Sequence, residues 1–219
     1  MLEGKKHVFW QAFILTTLFF LVGLVLGVYL EQNRQDSFST SFYQSEVSLY
    51  DSLALSKLTE DSNASCGEIK EAVIGFADRI YEEARDLERF DEKNKLTESL
   101  KSVHRKYDLL RTLLWMNAIE VKEKCNTSTI NSVVYLYTYD SEDIGLRSEQ
   151  VVWSRYLTDL KEEQGSKIIL IPIAVDAELS SLDYLTDKYG VLEYPAVIIN
   201  EKNILYSVED AINIKKYLK

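Results

Sequence analysis

Two cysteines, two histidines, two prolines and eight glycines are all that 219 residues contain of these types, and each shortage removes a class of protein. A structural zinc centre needs four clustered thiolates and imidazoles. Only Cys66, Cys125, His7 and His104 are on offer, so no metal is expected. Scarce proline and glycine argue against disordered or low-complexity linkers. There is no P-loop and no G-x-G-x-x-G, and no cofactor is expected. No Ser/His/Asp constellation can be assembled, so no catalytic residue is assigned. Basic clusters are missing too, and the formal charge is −10. Such a surface disfavours nucleic acid and anionic headgroups as partners. It would attract basic peptides, but its ordinary meaning is a solvated exterior.

Long apolar runs are absent except for one. Val8 to Leu30 covers 23 residues, with Gln11, Thr16 and Thr17 as its notable polar members. At about 1.5 Å per residue a helix of that length crosses the roughly 30 Å hydrocarbon core. Residues 8–30 are therefore predicted to span the lipid bilayer. The run continues into Glu31 without a small-residue cleavage pattern, which predicts a retained signal anchor rather than a removed signal peptide. Lys5, Lys6 and His7 flank one side, whereas Glu31, Arg34 and Asp36 nearly cancel on the other. The positive-inside rule then places 1–7 in the cytoplasm and everything after Glu31 outside it, in a single-pass cell-membrane protein. Trp10 and Tyr29 stand at the two ends, as an interfacial aromatic belt would have them or simply as aromatics of an apolar run. Gly23 and Gly27 form a G-x-x-x-G that permits a homodimer, although membrane helices are rich in glycine in any case.

Residues 31–65 read as a juxtamembrane helical linker. Its apolar positions, Phe38, Phe42, Leu49, Leu53 and Leu58, suit either a third helix or a continuation out of the membrane. Over 66–125 the periodicity is plainer. Ile69, Val73, Phe76, Ile80, Ala84 and Leu87 step by three or four residues, as do Leu96, Leu100, Val103, Tyr107, Leu110, Leu114 and Val121 with one skip. These are two amphipathic helices. The short polar segment Phe90 to Lys95 between them predicts an α-helical hairpin. Folding it there brings Cys66 and Cys125 together at the open end, where an oxidising compartment would join them in a structural disulfide. A catalytic dithiol is the rival reading of the pair. Both cysteines adjoin sequons at Asn63 and Asn126, candidate glycosylation sites on the outer side.

The last part of the chain, 131–219, alternates strand and helix signals. A β-branched and aromatic run from Val133 to Tyr139 is followed by a polar turn, Asp140 to Ser148, and a helical pattern from Glu149 to Gln164. A buried strand, Ile168 to Val175, and a short amphipathic helix, Leu182 to Tyr189, come next. After Tyr189-Gly190-Val191-Leu192-Glu193-Tyr194-Pro195 a strand opens at Ala196. A turn at Asn200 to Asn203, a strand from Ile204 to Val208 and a closing helix from Glu209 to Leu218 complete the series. Trp153, Tyr156, Leu157 and Leu160 fall at helical spacing and are expected to pack on the sheet. Asp140, Glu142 and Asp143 are expected to be solvated.

This order, with the Val191 to Pro195 segment, resembles the thioredoxin-like superfamily. The resemblance implies an α/β thioredoxin-like domain, a central mixed sheet flanked by helices, preceded here by a transmembrane helix and the hairpin. It also implies a cis bond before Pro195 and a C-x-x-C where the first helix begins, since a helix N-terminus stabilises a thiolate. Ile144-Gly145-Leu146-Arg147 stands there instead, so the redox chemistry of the family is missing. In such proteins the residue before the cis-proline pairs with an extended peptide. By resemblance, a peptide-binding trough would comprise Tyr139, Ile144, Leu146, Arg147, Tyr194 and Pro195. The expected work is extracytoplasmic binding of a polypeptide partner or a membrane protein assembly; the alternatives are a thiol-disulfide oxidoreductase using Cys66 and Cys125, or a structural spacer. Because Lys5 and Lys6 oppose a nearly neutral outer flank, protease added outside intact cells is expected to leave only a short anchored stub. Full protection of the C-terminal part would reverse the orientation.

Overall fold

The computed structural model describes residues 3–60, 65–91, 98–125, 131–211 and 214–218. The chain divides into two compact units, Met1–Gln44 and Ser45–Lys219. Helix α1 (Glu3–Glu60) contains the apolar run, and every side chain from Val8 to Leu30 is exposed. Among the described residues this is the one helix long and apolar enough to cross a membrane. Its polar members are satisfied locally: the Thr16 and Thr17 hydroxyls donate to the carbonyls of Ala12 and Phe13 at 2.8 and 2.9 Å, which removes the penalty an unpaired hydroxyl would meet in hydrocarbon. A Cβ added at Gly23 or Gly27 would touch nothing within 4 Å.

The second unit starts with the last part of α1, so the linker is helical through Glu60. Its buried face is not the expected one. Ser48, Ser52 and Leu55 turn inward, while Val47, Tyr50 and Leu53 are exposed. Hydrogen bonding explains the choice, because Ser48 donates to Glu83 and the Asn117 amide donates to both the carbonyl and hydroxyl of Ser52 at 3.3 Å. The side chains of Phe38, Phe42 and Leu58 lie outside the described residues.

Helices α2 (Cys66–Asp91) and α3 (Glu98–Cys125) form the predicted pair; the residues 92–97 between them lie outside the described ones. The start of α2 is set by a capping box. The Ser65 hydroxyl accepts from Glu68 N–H at 3.3 Å and donates to the Glu68 carboxylate at 2.6 Å. Ile69, Val73, Phe76, Ile80 and Ala84 are buried, as are Val103, Tyr107, Leu110, Leu114 and Val121. Cys66 and Cys125 are joined with a Cα separation of 5.6 Å. Asn63 and Asn126 fall outside the described residues.

Strands β1 (Asn131–Tyr137), β2 (Ile168–Ala174), β3 (Ala196–Ile199) and β4 (Asn203–Leu205) build one mixed sheet in the order β2-β1-β3-β4. β1 runs parallel to β2 and antiparallel to β3, which is antiparallel to β4. The remaining helices are α4 (Ile144–Gln164), α5 (Ser180–Tyr189) and α6 (Val208–Ala211), with a 3-10 turn at Ile214–Tyr217. Alternation sends Val133, Tyr135, Ile168, Leu170, Val197 and Ile199 to one side, where they pack with Trp153, Leu157 and Leu160 of α4. Val134, Leu136, Ile169, Ile171, Ile173 and Ile198 point the other way and are equally buried. Both faces are therefore covered, as a parallel pair requires.

Several boundaries depart from expectation. α4 begins at Ile144, five residues before Glu149, because the Asp143 side chain caps it by accepting from Gly145 and Leu146 N–H at 2.7 and 3.2 Å. β1 stops at Tyr137, since side chains rather than strands take the next backbone groups. Val208 starts a helix instead of ending a strand, and the described parts of the closing segment are the helix Val208–Ala211 and the 3-10 turn Ile214–Tyr217.

The hairpin packs against β2. α3 packs against β2, β1 and α5, and the buried Asp108 carboxylate accepts from the Ala174 N–H at 3.1 Å. Further along α3, Trp115 donates to Glu201 at 3.2 Å and Lys122 pairs with the same carboxylate at 2.8 Å. Glu201 and Asn200, both at φ 55°, form the tight turn between β3 and β4. The disulfide closes a loop with a sequence separation of 59, which by chain entropy contributes at most about 4 kcal/mol. Replacing both cysteines by alanine is expected to lower the unfolding free energy of the full chain in detergent by up to that amount, read from denaturant titration; an unchanged value would mean helix packing alone closes the loop.

Candidate functional site

Between α2, α3, the end of β1 and α4 lies a cleft of about 530 Å³, within the range of ligand sites. Five of the chain's 14 tyrosines line it: Tyr81, Tyr107, Tyr135, Tyr137 and Tyr139. Their positions follow from simple periodicities. Tyr135, Tyr137 and Tyr139 alternate along β1 and its extension, so they share one side, and the rings of Tyr135 and Tyr137 stack with centroids 5.4 Å apart. Tyr81 and Tyr107 belong to the two hairpin helices. Three guanidinium groups, Arg85, Arg111 and Arg147, reach the same space.

The wall formed by the loop after β1 is held by side chains acting as strand surrogates. Gln150 accepts from Thr138 N–H at 2.7 Å and donates back to its carbonyl at 3.0 Å. The Asp176 carboxylate accepts from Tyr139 and Asp140 N–H, each at 2.8 Å. Lys101 pairs with Asp140 at 3.0 Å. A wall so committed is preorganised, and a ligand entering the cleft need not order it.

A second cavity of about 400 Å³ adjoins the first, lined by Lys101, Arg105, Asp108, Asp176 and Glu178 among others. His104 and Tyr139, whose rings lie 4.4 Å apart, border both cavities. The C-terminal part of the sequence has no histidine of its own, but the fold delivers His104 to its first loop. Among the described residues no three His, Cys, Asp or Glu side chains are placed to hold a metal.

Of the six residues grouped by resemblance, Tyr139 and Arg147 line the cleft. Ile144 is the first residue of α4 and is 75% exposed. Leu146 is half-buried nearby. Tyr194 is half-buried and Pro195 buried, with the cis bond that the resemblance implies, and neither lines either cavity. Tyr81, Tyr107, Gln150, His104, Asp108 and Arg111 were not singled out for this site. A signal for the last three exists: they recur at i, i+4 and i+7, one position after the Val103, Tyr107 and Leu110 stripe. Two adjacent buried stripes mean a helix enclosed on two sides.

No family model matches the chain, and no curated protein or solved structure matches it either. The site must be interpreted from its own chemistry.

Burial dominates its electrostatics. Desolvation lifts Asp108 from an ordinary 3.8 to about 6, although Arg111 at 3.3 Å and the Ala174 N–H pull it the other way. Glu83, half-buried behind Tyr107, is raised for the same reason. Desolvation also raises Tyr135, which stays a donor to the Gln150 carbonyl at 3.2 Å. A carboxyl whose folded value is raised binds its proton more tightly in the native state. Its stabilising contribution is full below the ordinary value and is lost as pH rises through about 6. Compared with Asp108→Asn, the unmodified chain should thus gain relative stability on going from about pH 7 to about pH 4.5. Denaturation midpoints of both proteins at both pH values test this, and a constant difference would place Asp108 in the ordinary carboxylate range.

Proposed function

We propose that this protein is a membrane-anchored binding module. In this reading Val8 to Leu30 is a signal anchor with 1–7 in the cytoplasm, and a redox-inactive thioredoxin-like domain outside it holds a polypeptide segment. The domain reading is supported by the element order from β1 to the final 3-10 turn and by the mixture of one parallel and two antiparallel strand pairs. At the head of α4, where the family places its thiolate, the Asp143 carboxylate takes the free N–H groups. The oxidoreductase alternative has less behind it, because both cysteines are committed to the bond at the base of the hairpin.

The observation that carries the binding reading is the tyrosine-lined cleft. Tyrosine offers large, stiff, amphipathic contact area at low entropic cost, and walls pinned by Gln150 and Asp176 keep that area available. The cleft also differs from the trough at Tyr194 and Pro195, so the two can be separated by mutation. With the full chain in zwitterionic nanodiscs, a fluorescent pool of random octapeptides should be retained above empty discs. Ser154→Trp, which fills the cleft from an exposed position of α4, should reduce retention about fivefold, roughly 1 kcal/mol. Retention no better than empty discs would favour the spacer reading, and retention unaffected by Ser154→Trp would move the site elsewhere.

A further inference from the structure

We infer that the occupant of this cleft is an acidic peptide segment, a ligand opposite in sign to the basic peptides that the chain's overall charge would attract. The inference rests on the binding reading above and names its ligand class. The whole chain carries −10, yet among the described residues the cleft is lined by Arg85, Arg111 and Arg147 against one carboxylate, Asp140, which Lys101 already pairs.

The three cations are not equivalent. Arg111 is buried and held by Asp108. Among the described residues Arg85 pairs only with its helix neighbour Glu82, both about half exposed, a contact of little energy that a ligand carboxylate can replace. Arg147 makes no ion pair or side-chain hydrogen bond among the described residues. It also stands in the first turn of α4, the end of a helix where a positive charge is least favourable. A guanidinium placed against the dipole and left without a carboxylate is poorly explained by stability. It is well explained by an incoming anion, which it can take through two parallel N–H donors.

The remainder of the lining selects peptide over polyanion. Tyr81, Tyr137 and Tyr139 give half-buried ring surface for the apolar residues that flank a ligand's carboxylates. Nucleic acid would expose many phosphates to the acidic exterior, whereas a short segment in the cleft meets mainly the local arginines.

The test uses the full chain in zwitterionic nanodiscs with three octapeptide pools. They carry Asp and Glu, Asn and Gln, or Lys and Arg at half their positions. The acidic pool should be retained about tenfold better than the neutral one, the size of one charge-assisted contact, and high salt should remove the difference. Arg147→Glu should abolish the preference. Arg155→Glu, the same charge change on an exposed position of α4 outside the cleft, should keep it. Equal retention of acidic and neutral pools, or equal loss from both variants, would overturn the acidic ligand and leave peptide binding standing. Retention of none of the pools would overturn the binding reading itself, and this inference with it.

Discussion

A parallel edge strand presents unpaired backbone groups that must be covered or paired, and in this protein α3, packed against β2, takes one of them. Asp108 accepts the Ala174 N–H from within a buried pair with Arg111. At the other end of the strand Lys161 donates to the Ile168 carbonyl at 3.0 Å. Because α3 closes the sheet on one side and packs against α2 on the other, hairpin and sheet form a single compact unit. Removing either partner of the Asp108 pair would strand a buried charge, which costs more than the pair contributes. The hairpin therefore acts as a layer of the sheet's own core.

The cleft is a by-product of that docking. α2 and α3 reach β2 but leave room beyond β1, between Tyr81 and Tyr107 on one side and α4 on the other. Gln150 and Asp176 then satisfy the backbone from Thr138 to Asp140, which both ends β1 and stiffens the wall. A strand end used up in this way is unavailable for β-augmentation, so recognition there must rely on side chains. Tyrosine rings and Arg147 are the side chains present.

Charge is distributed unevenly for a reason that the same packing supplies. Among the described residues most acidic side chains stay on solvated surfaces, where like charges are screened. The arginines of the cleft come from three different helices, α2, α3 and α4, and meet only because those helices converge on β1. The disulfide at Cys66 and Cys125 limits the freedom of two of the three, since it ties the start of α2 to the end of α3.

Much of the architecture was legible from periodicity. The apolar run of Val8 to Leu30, the stripes of α2 and α3 and the order of strands and helices all follow from local pattern, because each depends on residues near one another in the chain, and the cysteine pairing follows from folding two such stripes together. The outward face of Leu53 and the early start of α4 did not, since each was decided by a hydrogen-bonding partner or cap rather than by hydrophobicity. Of the residues grouped by resemblance, Tyr139 and Arg147 line the cleft, while Tyr194 and Pro195 line neither cavity. Sequence by itself determined where helices, strands and the long apolar run could form. Only tertiary structure decided that His104, Asp108 and Arg111 would meet the sheet, because their burial arises from α3 being enclosed on two sides, and a single amphipathic stripe reveals just one of them.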